Sequence, residues 1–222
     1  MPLTPVLAGA GAFVFDAYGT LFDVHSAVAR HAAAVGPDAS RLSEMWRAKQ
    51  LEYSWVLSLT GAYEPFWTLT ERALAYALAR CSAVDPGVEP MLMAAYRTLN
   101  AYPEVPGALA GLRARGMRTG ILSNGDPGML ADAVASAGVF KTDPRCYALV
   151  PAALGLPASK IAFVSSNRWD VAGAAAFGFP CVWVNRLKLP DEYPDHRPVR
   201  VVASLSEIVG GRVSAARRGS PG

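Results

Sequence analysis

Residues 13–23 read Phe13-Val14-Phe15-Asp16-Ala17-Tyr18-Gly19-Thr20-Leu21-Phe22-Asp23. The apolar run that opens this segment is typical of a strand buried in a parallel sheet, and Asp16 lies where the strand ends. Open α/β sheets bind their ligands at the carboxyl ends of the strands. A carboxylate there can form an ester as a nucleophile, or it can simply cap a turn. The segment therefore predicts an α/β fold with Asp16 as a candidate nucleophile.

The composition is that of a globular protein. The chain has 222 residues, of which 52% are hydrophobic and 18% charged, so we expect one α/β core with a small insertion. No uninterrupted apolar run is long enough to span a bilayer. The formal net charge of +3 gives no reason to expect nucleic acid. We predict neither a membrane nor a nucleic acid as partner.

The cysteines Cys81, Cys146 and Cys181 are far apart and include no Cys-x-x-Cys pair. An odd number of separated cysteines is typical of reduced thiols in a cytosolic protein. Residues 1–12 carry no basic stretch of the kind that opens a secretory signal. We therefore expect a cytoplasmic protein.

The periodicity of the sequence changes after Asp23. From there to Tyr102 only helical patterns occur, near residues 26–35, 40–60, 65–80 and 90–99. In the second of these, steps of three and four residues predict one stripe that packs inward: Leu42, Met45, Trp46, Lys49, Tyr53, Val56 and Leu57. These patterns predict an inserted α-helical cap over residues 24–102 and a core domain formed by residues 1–23 and 103–222.

The alternation of helices and strands resumes after residue 102. Predicted strands cover residues 118–123, 161–165, 181–184 and 200–202, and predicted helices cover 106–115, 127–137, 144–154 and about 169–177. This order predicts a Rossmann-like, doubly wound parallel sheet. Three strands end in polar side chains that we expect at one edge: Asp16 with Thr20, Ser123 with Asn124, and Ser165 with Asn167 and Asp170.

The residues at these strand ends resemble the motifs of a known family. The segment from Asp16 to Val24 resembles the first motif of the haloacid dehalogenase superfamily. Its residues are most similar to those of the type II L-2-haloacid dehalogenases. The other three motifs are matched by Leu122-Ser123-Asn124-Gly125, by Lys141 with Tyr147, and by the segment 165–170. The resemblance covers the chain from Phe13 to about Asn185 and implies the same fold and a hydrolase.

The resemblance implies that Asp16 is the nucleophile, with Thr20 beside it. It also implies that Arg47, in a dehalogenase-like stretch from Leu42 to Trp55, receives the departing halogen. A guanidinium suits that role because it is always charged and offers several donors. The dehalogenases usually have a Gln after this Arg, and Ala48 in its place implies a looser or larger pocket.

The remaining motifs imply the rest of the site. Ser123 and Asn124 would hold the substrate carboxylate at a helix start. Lys141 would keep Asp16 ionised and orient it, while Tyr147 donates a further hydrogen bond. Three more residues would serve the ester's hydrolysis: Asp170 positions or deprotonates water, and Ser165 and Asn167 fix both groups. The apolar walls of the pocket would be Tyr18, Leu51, Phe66 and Trp169.

Two departures separate this chain from the phosphatases of the superfamily. Most of those carry a second Asp where Tyr18 stands here, and an acidic pair in the fourth motif, where Ser165 replaces the first acid. A phenol with an ordinary pKa of about 10 is a poor proton donor to a leaving alkoxide, whereas a halide needs no proton. Two carboxylates without a further acid also make a poor magnesium site. We therefore predict carbon–halogen chemistry with no metal and no cofactor.

The segment before Lys141 is shorter than the family pattern. Only Val139 and Phe140 lie between Gly138 and Lys141, and two residues extend at most about 7 Å, which is too short for the usual strand. Three explanations are open. The sheet lacks this strand, the chain is incompletely represented, or the protein is a degenerate homologue.

Through its resemblance to the L-2-haloacid dehalogenases, the sequence predicts an (S)-2-haloacid dehalogenase. The expected reaction is hydrolysis of short (S)-2-haloalkanoates to (R)-2-hydroxyalkanoates, with inversion through an ester on Asp16. Two alternatives remain: a phosphatase of the same fold, and a catalytically impaired homologue that acts as a binding module. The resemblance also implies a homodimer formed through the cap.

Overall fold

The computed structural model describes residues 5–125 and 138–209. The helix predicted over residues 127–137 lies outside these ranges. The sheet has five parallel strands in the order β2-β1-β3-β4-β5. Their bounds are Ala12–Phe15 for β1, Arg118–Ile121 for β2, Ile161–Ser165 for β3, Cys181–Val184 for β4 and Arg200–Val202 for β5. The predicted α/β fold with a parallel sheet is confirmed.

Helices cover both faces of the sheet because successive strand residues point to opposite sides. On one face, Phe13 and Phe15 pack with α7 (Val105–Arg113) and with Leu7 of the short α1 (Pro5–Ala8). On the other, Val14 packs in one apolar cluster with α8 (Pro144–Leu154) and α9 (Arg168–Phe177). This is the predicted doubly wound arrangement.

The register brings the strand ends together. Phe15, the residue before Asp16, pairs with Ile121 of β2 on one side and with Val164 of β3 on the other. Polar residues that follow these three strands therefore begin at the same level of the sheet edge.

A helical region follows β1. It contains α2 (Ser26–Ala29), α3 (Ala32–Val35), α4 (Ala39–Thr60), α5 (Phe66–Arg80) and α6 (Glu89–Tyr96). These helices share an apolar cluster of their own, which includes Leu42, Trp46, Leu74, Leu92 and Tyr96. We propose on this ground that residues 24–102 form a cap domain inserted between residues 1–23 and 103–222. None of the helices within the described ranges is long and apolar enough to cross a membrane.

The buried face of α4 differs from the predicted stripe. Leu42 and Trp46 are buried as expected, but Val56 is 50% exposed and Gln50 is only 1% exposed. Gln50 is buried because its amide nitrogen donates to Thr70 Oγ1 across 3.0 Å and its oxygen accepts from the hydroxyl of Tyr96. Gln50 is buried although it is polar, because a hydrogen-bonded amide can lie inside a helical core. The prediction that Val56 packs inward was wrong.

The short segment before α8 forms turns, and no strand lies within residues 138–143. Val139 packs into the apolar cluster of the core, and Phe140 packs instead against Phe66 and Leu69 of α5. Both side chains are almost fully buried. This segment therefore contacts the apolar cluster under the sheet and helix α5 at the same time.

Candidate active site

Asp16 lies at the carboxyl end of β1 and is 5% exposed. Its Oδ2 atom accepts hydrogen bonds from Thr20 Oγ1 at 2.8 Å, Ser165 Oγ at 3.2 Å and Asn167 Nδ2 at 2.7 Å. Its Oδ1 atom accepts from Lys141 Nζ at 3.1 Å. Three donors thus converge on Oδ2 and one on Oδ1.

The turn after β1 presents Thr20 to the carboxylate. Gly19 has φ +88°, a conformation that a residue with a side chain rarely adopts, and its N–H donates to Phe22 O at 2.7 Å. The tight turn lets Thr20 Oγ1 donate to Asp16 and accept from the Ser166 N–H at 2.8 Å. The first and fourth motifs are thereby joined through one hydroxyl.

Lys141 lies between two carboxylates. Its Nζ atom is 3.1 Å from Asp16 Oδ1 and 2.9 Å from Asp170 Oδ2, and the side chain is 1% exposed. Burial lowers the pKa of Lys141, but the charges of Asp16 and Asp170 outweigh that effect and leave the pKa above its ordinary value. The ammonium group therefore stays charged and orients both acids.

Two contacts hold the lysine in place despite the short segment before it. The Lys141 N–H donates to Asn124 Oδ1 at 2.9 Å. The N–H of the preceding Phe140 donates to Ser58 Oγ of α4, also at 2.9 Å. Lys141 is thus fixed by the loop after β2 and, through Phe140, by α4, although the described residues just before it, 138–140, form no strand.

Asp170 is fully buried in the first turn of α9. Tyr147 of α8 donates from its hydroxyl to Asp170 Oδ1 at 2.8 Å. Burial raises the pKa of Asp170 to about 6, although Lys141 pulls it down and the Tyr147 hydrogen bond lowers it as well. An acid with a pKa near neutral is suited to accept a proton from water.

The approach of α8 to α9 requires a glycine. A Cβ atom added at Gly173 would lie 2.7 Å from the Tyr147 hydroxyl and 3.0 Å from Thr142 Cβ. Because Gly173 has no side chain, the Tyr147 hydroxyl can reach Asp170 from the next helix.

Arg47 reaches the site from α4. Its Nη2 atom donates to Tyr18 O at 3.4 Å, and its charge acts on the nearby Tyr96, whose pKa burial raises and Arg47 partly lowers. Arg47 lines a small cavity over Asp16. The other lining residues are Asp16, Tyr18, Leu51, Phe66, Ser123, Asn124, Lys141 and Trp169.

The structure thus brings the predicted residues to one place. The four predicted wall residues and Arg47 line the small cavity, and Ser123 lies in it with its hydroxyl accepting from the Gly125 N–H at 3.2 Å. Thr20, Ser165 and Asn167 bond Asp16 directly, while Tyr147 contacts it only through Asp170. The roles that the resemblance implies for them stay predictions.

Sequence reasoning missed Arg186, which follows β4 at the same sheet edge. Its guanidinium donates to the carbonyls of Gly19 and Thr20, to Ser166 Oγ at 2.6 Å and to Glu104 at 2.8 Å. It also lies 3.8 Å from the ring centre of Tyr102. The available signal was its position two residues after a predicted strand, because ligands bind at the carboxyl ends of the strands in such sheets.

The donor set at this edge does not suit a divalent cation. The positive charge of Lys141 already lies between Asp16 and Asp170, and Ser165 is neutral. Within residues 5–125 and 138–209, no cluster of three or more His, Cys, Asp or Glu side chains is placed to hold a metal ion.

Comparison with known proteins gives a consistent result. The family model of a haloacid dehalogenase-like hydrolase matches residues 10–178. The chain is 42% identical over 213 residues to (S)-2-haloacid dehalogenase 1 of Pseudomonas sp. strain CBS-3, covering 89% of this chain and 94% of the relative. The predicted resemblance is confirmed.

Solved structures agree with the sequence comparison. A dehalogenase crystal structure superposes with a TM-score of 0.86 at 42% identity and covers 90% of this chain and 95% of its own. The L-2-haloacid dehalogenase of Xanthobacter autotrophicus with chloropropionic acid covalently bound gives a TM-score of 0.79 at 35% identity, covering 90% and 97%.

Proposed function

The chain belongs to the haloacid dehalogenase-like hydrolases, and from that premise we propose that it is an (S)-2-haloacid dehalogenase. It hydrolyses short (S)-2-haloalkanoates to (R)-2-hydroxyalkanoates and halide. The main support is that the Lys141 ammonium lies between the carboxylates of Asp16 and Asp170. Asp16 and Lys141 line the small cavity, and Arg47 lines it as well. Curated relatives at about 42% identity carry that activity in their names.

In the first step, an oxygen of Asp16 attacks the halogen-bearing carbon from the side opposite the halogen. The C–O bond forms as the C–halogen bond breaks, and the halide leaves with the bonding electron pair. Oδ1 is the better nucleophile because Oδ2 already accepts three hydrogen bonds. Backside attack inverts the carbon, so an (S)-substrate gives an (R)-product.

Substrate orientation follows from the groups around the cavity. Asn124 Oδ1 accepts from the Lys141 N–H, so its amide nitrogen is the atom that can donate to the substrate carboxylate, together with the Ser123 hydroxyl. Arg47 faces the leaving halide and stabilises the charge that accumulates there. The carboxylate and the halogen are thus held by different groups.

In the second step, water attacks the carbonyl carbon of the Asp16 ester. Asp170 takes one proton from the water. As the tetrahedral intermediate collapses, the bond between the Asp16 carbonyl carbon and Oδ1 breaks, and Oδ1 leaves as the hydroxyl oxygen of the hydroxyacid with the proton that Asp170 returns. The second proton of the water goes to solvent. Lys141 contacts both acids and stabilises the negative charge that forms on the ester. Asp16 then carries one oxygen from water.

The experiment is halide release from (S)-2-chloropropionate in EDTA, comparing the wild type with Asp16→Asn. Asp195→Asn is the matched control, because Asp195 is an exposed Asp in the loop after β4. Release by the wild type and by Asp195→Asn, but not by Asp16→Asn, would support the proposal. One turnover in ¹⁸O-water should then label Asp16.

Other results would favour the alternatives. Tight haloacid binding without halide release by the folded wild type would indicate a binding module. Magnesium-dependent release of phosphate from small esters would indicate a phosphatase. Unlabelled Asp16 after one turnover would exclude the ester pathway.

Two further properties belong to the proposal. We propose a cytoplasmic location, which the three unpaired cysteines support. We also propose a homodimer through the cap, supported by exposed apolar side chains such as Val56 of α4 and Tyr76 of α5. Sedimentation equilibrium of the wild type tests the dimer.

A further inference from the structure

A larger cavity lies beside the candidate active site. Its volume is about 930 Å³, within the range of small-molecule sites. Its walls come from α4, α9, the segment 140–144 and the loop that carries Tyr193 and His196. The large and small cavities share two lining residues, Lys141 and Trp169. These two side chains therefore separate the two spaces.

The walls of the large cavity are mainly apolar near this junction. Trp55 of α4 packs edge-on against Trp169 of α9, with ring centres 5.6 Å apart. Phe140 and Phe177 add further apolar surface, and Leu59 lies at the rim with 88% exposure. The lining also includes the polar residues Ser58, Thr142, Asp143 and His196, so the apolar part near Trp169 is the part that suits a hydrocarbon chain.

The loop wall is held by a buried arginine. Arg168, next to Trp169 in the sequence, is 4% exposed. Its guanidinium donates to Asp191 Oδ1 at 2.7 Å and to the carbonyls of Tyr193 at 2.5 Å and His196 at 3.0 Å. These bonds fix the loop over α9, so the cavity has a defined wall on the side of the loop.

The proposed binding mode leaves the substrate side chain to the apolar walls of the small cavity. The carboxylate is held at Ser123 and Asn124, and the halogen at Arg47, so the third substituent of the reacting carbon meets the remaining apolar walls. Trp169 is the wall residue that also borders the large cavity. A methyl group ends at this wall, whereas a longer alkyl chain must pass it.

We propose that the large cavity binds the alkyl tail of medium-chain 2-haloalkanoates, with the Trp55–Trp169 pair as its entrance. The inference rests on the proposed dehalogenase function and extends its substrate class. Trp55, which is 37% exposed, lines the large cavity, and Trp169 lines both cavities. Each methylene that leaves water for the cavity should raise kcat/KM about fourfold.

The test compares halide release from (S)-2-bromopropionate and (S)-2-bromooctanoate by the wild type. The readout is the ratio of the two kcat/KM values, octanoate over propionate. We expect a wild-type ratio above one. A ratio of one or below would overturn the tail site while leaving the proposed function intact. Release from neither substrate would overturn the proposed function, and the tail site with it.

Variants then locate the tail. Ala176→Phe places a ring in the cavity from an exposed position on α9, and Leu59→Glu places a charge on the facing rim. Each should lower the ratio at least tenfold. The matched control is Ala152→Phe, at an exposed position of α8 that does not line the cavity, and it should leave the ratio unchanged.

A second copy of the chain is the competing occupant of this cavity. A wild-type ratio below one, together with a dimer that Ala176→Phe dissociates in sedimentation, would assign the surface to an interface and overturn the tail site. Equal ratios for Ala176→Phe, Leu59→Glu and the wild type would also overturn it.

Discussion

Asn124 Oδ1 accepts a hydrogen bond of 2.9 Å from the backbone N–H of Lys141. The contact ties the loop after β2 to a lysine that reaches Asp16 and Asp170. It also explains how a segment with no strand between residues 138 and 143 delivers that lysine. The position of Lys141 depends on a side-chain acceptor rather than on a neighbouring strand.

Removing the charge of Lys141 should destabilise the protein strongly. In Lys141→Met, Asp16 and Asp170 lose their shared counter-ion inside the protein, and breaking such a pair lowers the free energy of unfolding by about 3–5 kcal/mol. The difference in the free energy of unfolding between the wild type and Lys141→Met should become smaller as the pH falls, because protonating one carboxylate removes the repulsion between the two. Urea denaturation at several pH values measures both effects.

Lys49→Met is the matched control for Lys141→Met. Lys49 also pairs with a carboxylate, at 2.7 Å from Glu52, but that Glu side chain is 52% exposed. We expect little change in the urea midpoint because exposed ion pairs contribute little. Equal losses in the two variants would contradict the interpretation of Lys141 as a buried counter-ion.

Tyr147→Phe should move the acid limb of the pH profile. Asp170 acts as a base in its ionised form after the C–halogen bond has broken, so kcat should fall as the pH drops through its pKa of about 6. The Tyr147 hydrogen bond lowers that pKa. Its removal should raise the pKa, so activity is lost at a higher pH in the variant. A limb that stays in place or moves to lower pH would contradict the assignment of Asp170 as the base.

Gly173→Ala should disturb the same contact from the other side. The new methyl group would lie 2.7 Å from the Tyr147 hydroxyl, so the hydroxyl must leave Asp170 or α8 must shift. We expect a fall in kcat of about tenfold to a hundredfold, since small misplacements near a reacting group cost that much.

The control for Gly173→Ala is Gly107→Ala. Gly107 is also inside a helix, α7, but nothing lies within 4 Å of its added Cβ atom. This variant should keep its activity and become more stable by about 0.5–1 kcal/mol, since Ala favours the helix. Thermal unfolding and halide release measure both variants. Full activity in Gly173→Ala would show that the close approach is not required.

Arg186→Met should lower kcat without a matching rise in KM. The side chain bonds the carbonyls of Gly19 and Thr20 and so supports the turn that presents Thr20 to Asp16. It does not line the small cavity, so substrate binding should change less than turnover. Arg113→Met, at an exposed position near the end of α7, is the control. A change in KM alone would argue against a positioning role.

Much of the fold followed from local patterns. The bounds of β3, β4, β5 and α8 agree with prediction, because a buried strand and an amphipathic helix each impose a periodicity that the sequence displays. The segment near residues 26–35 is less regular, since two four-residue helices replace the one that was predicted. Short helices carry too few residues for a clear period.

The sequence by itself determined the parallel sheet, the position of Asp16 at its edge and the polar residues that follow the neighbouring strands. Their types and spacing are local properties of the chain. Only the tertiary structure decided how Asn124 holds Lys141, how Gln50 is buried in α4 and how Arg186 braces the turn at Gly19. These contacts join residues 17, 20 and 167 positions apart. No periodicity records such a pairing, because it exists only once the packed elements bring donor and acceptor together.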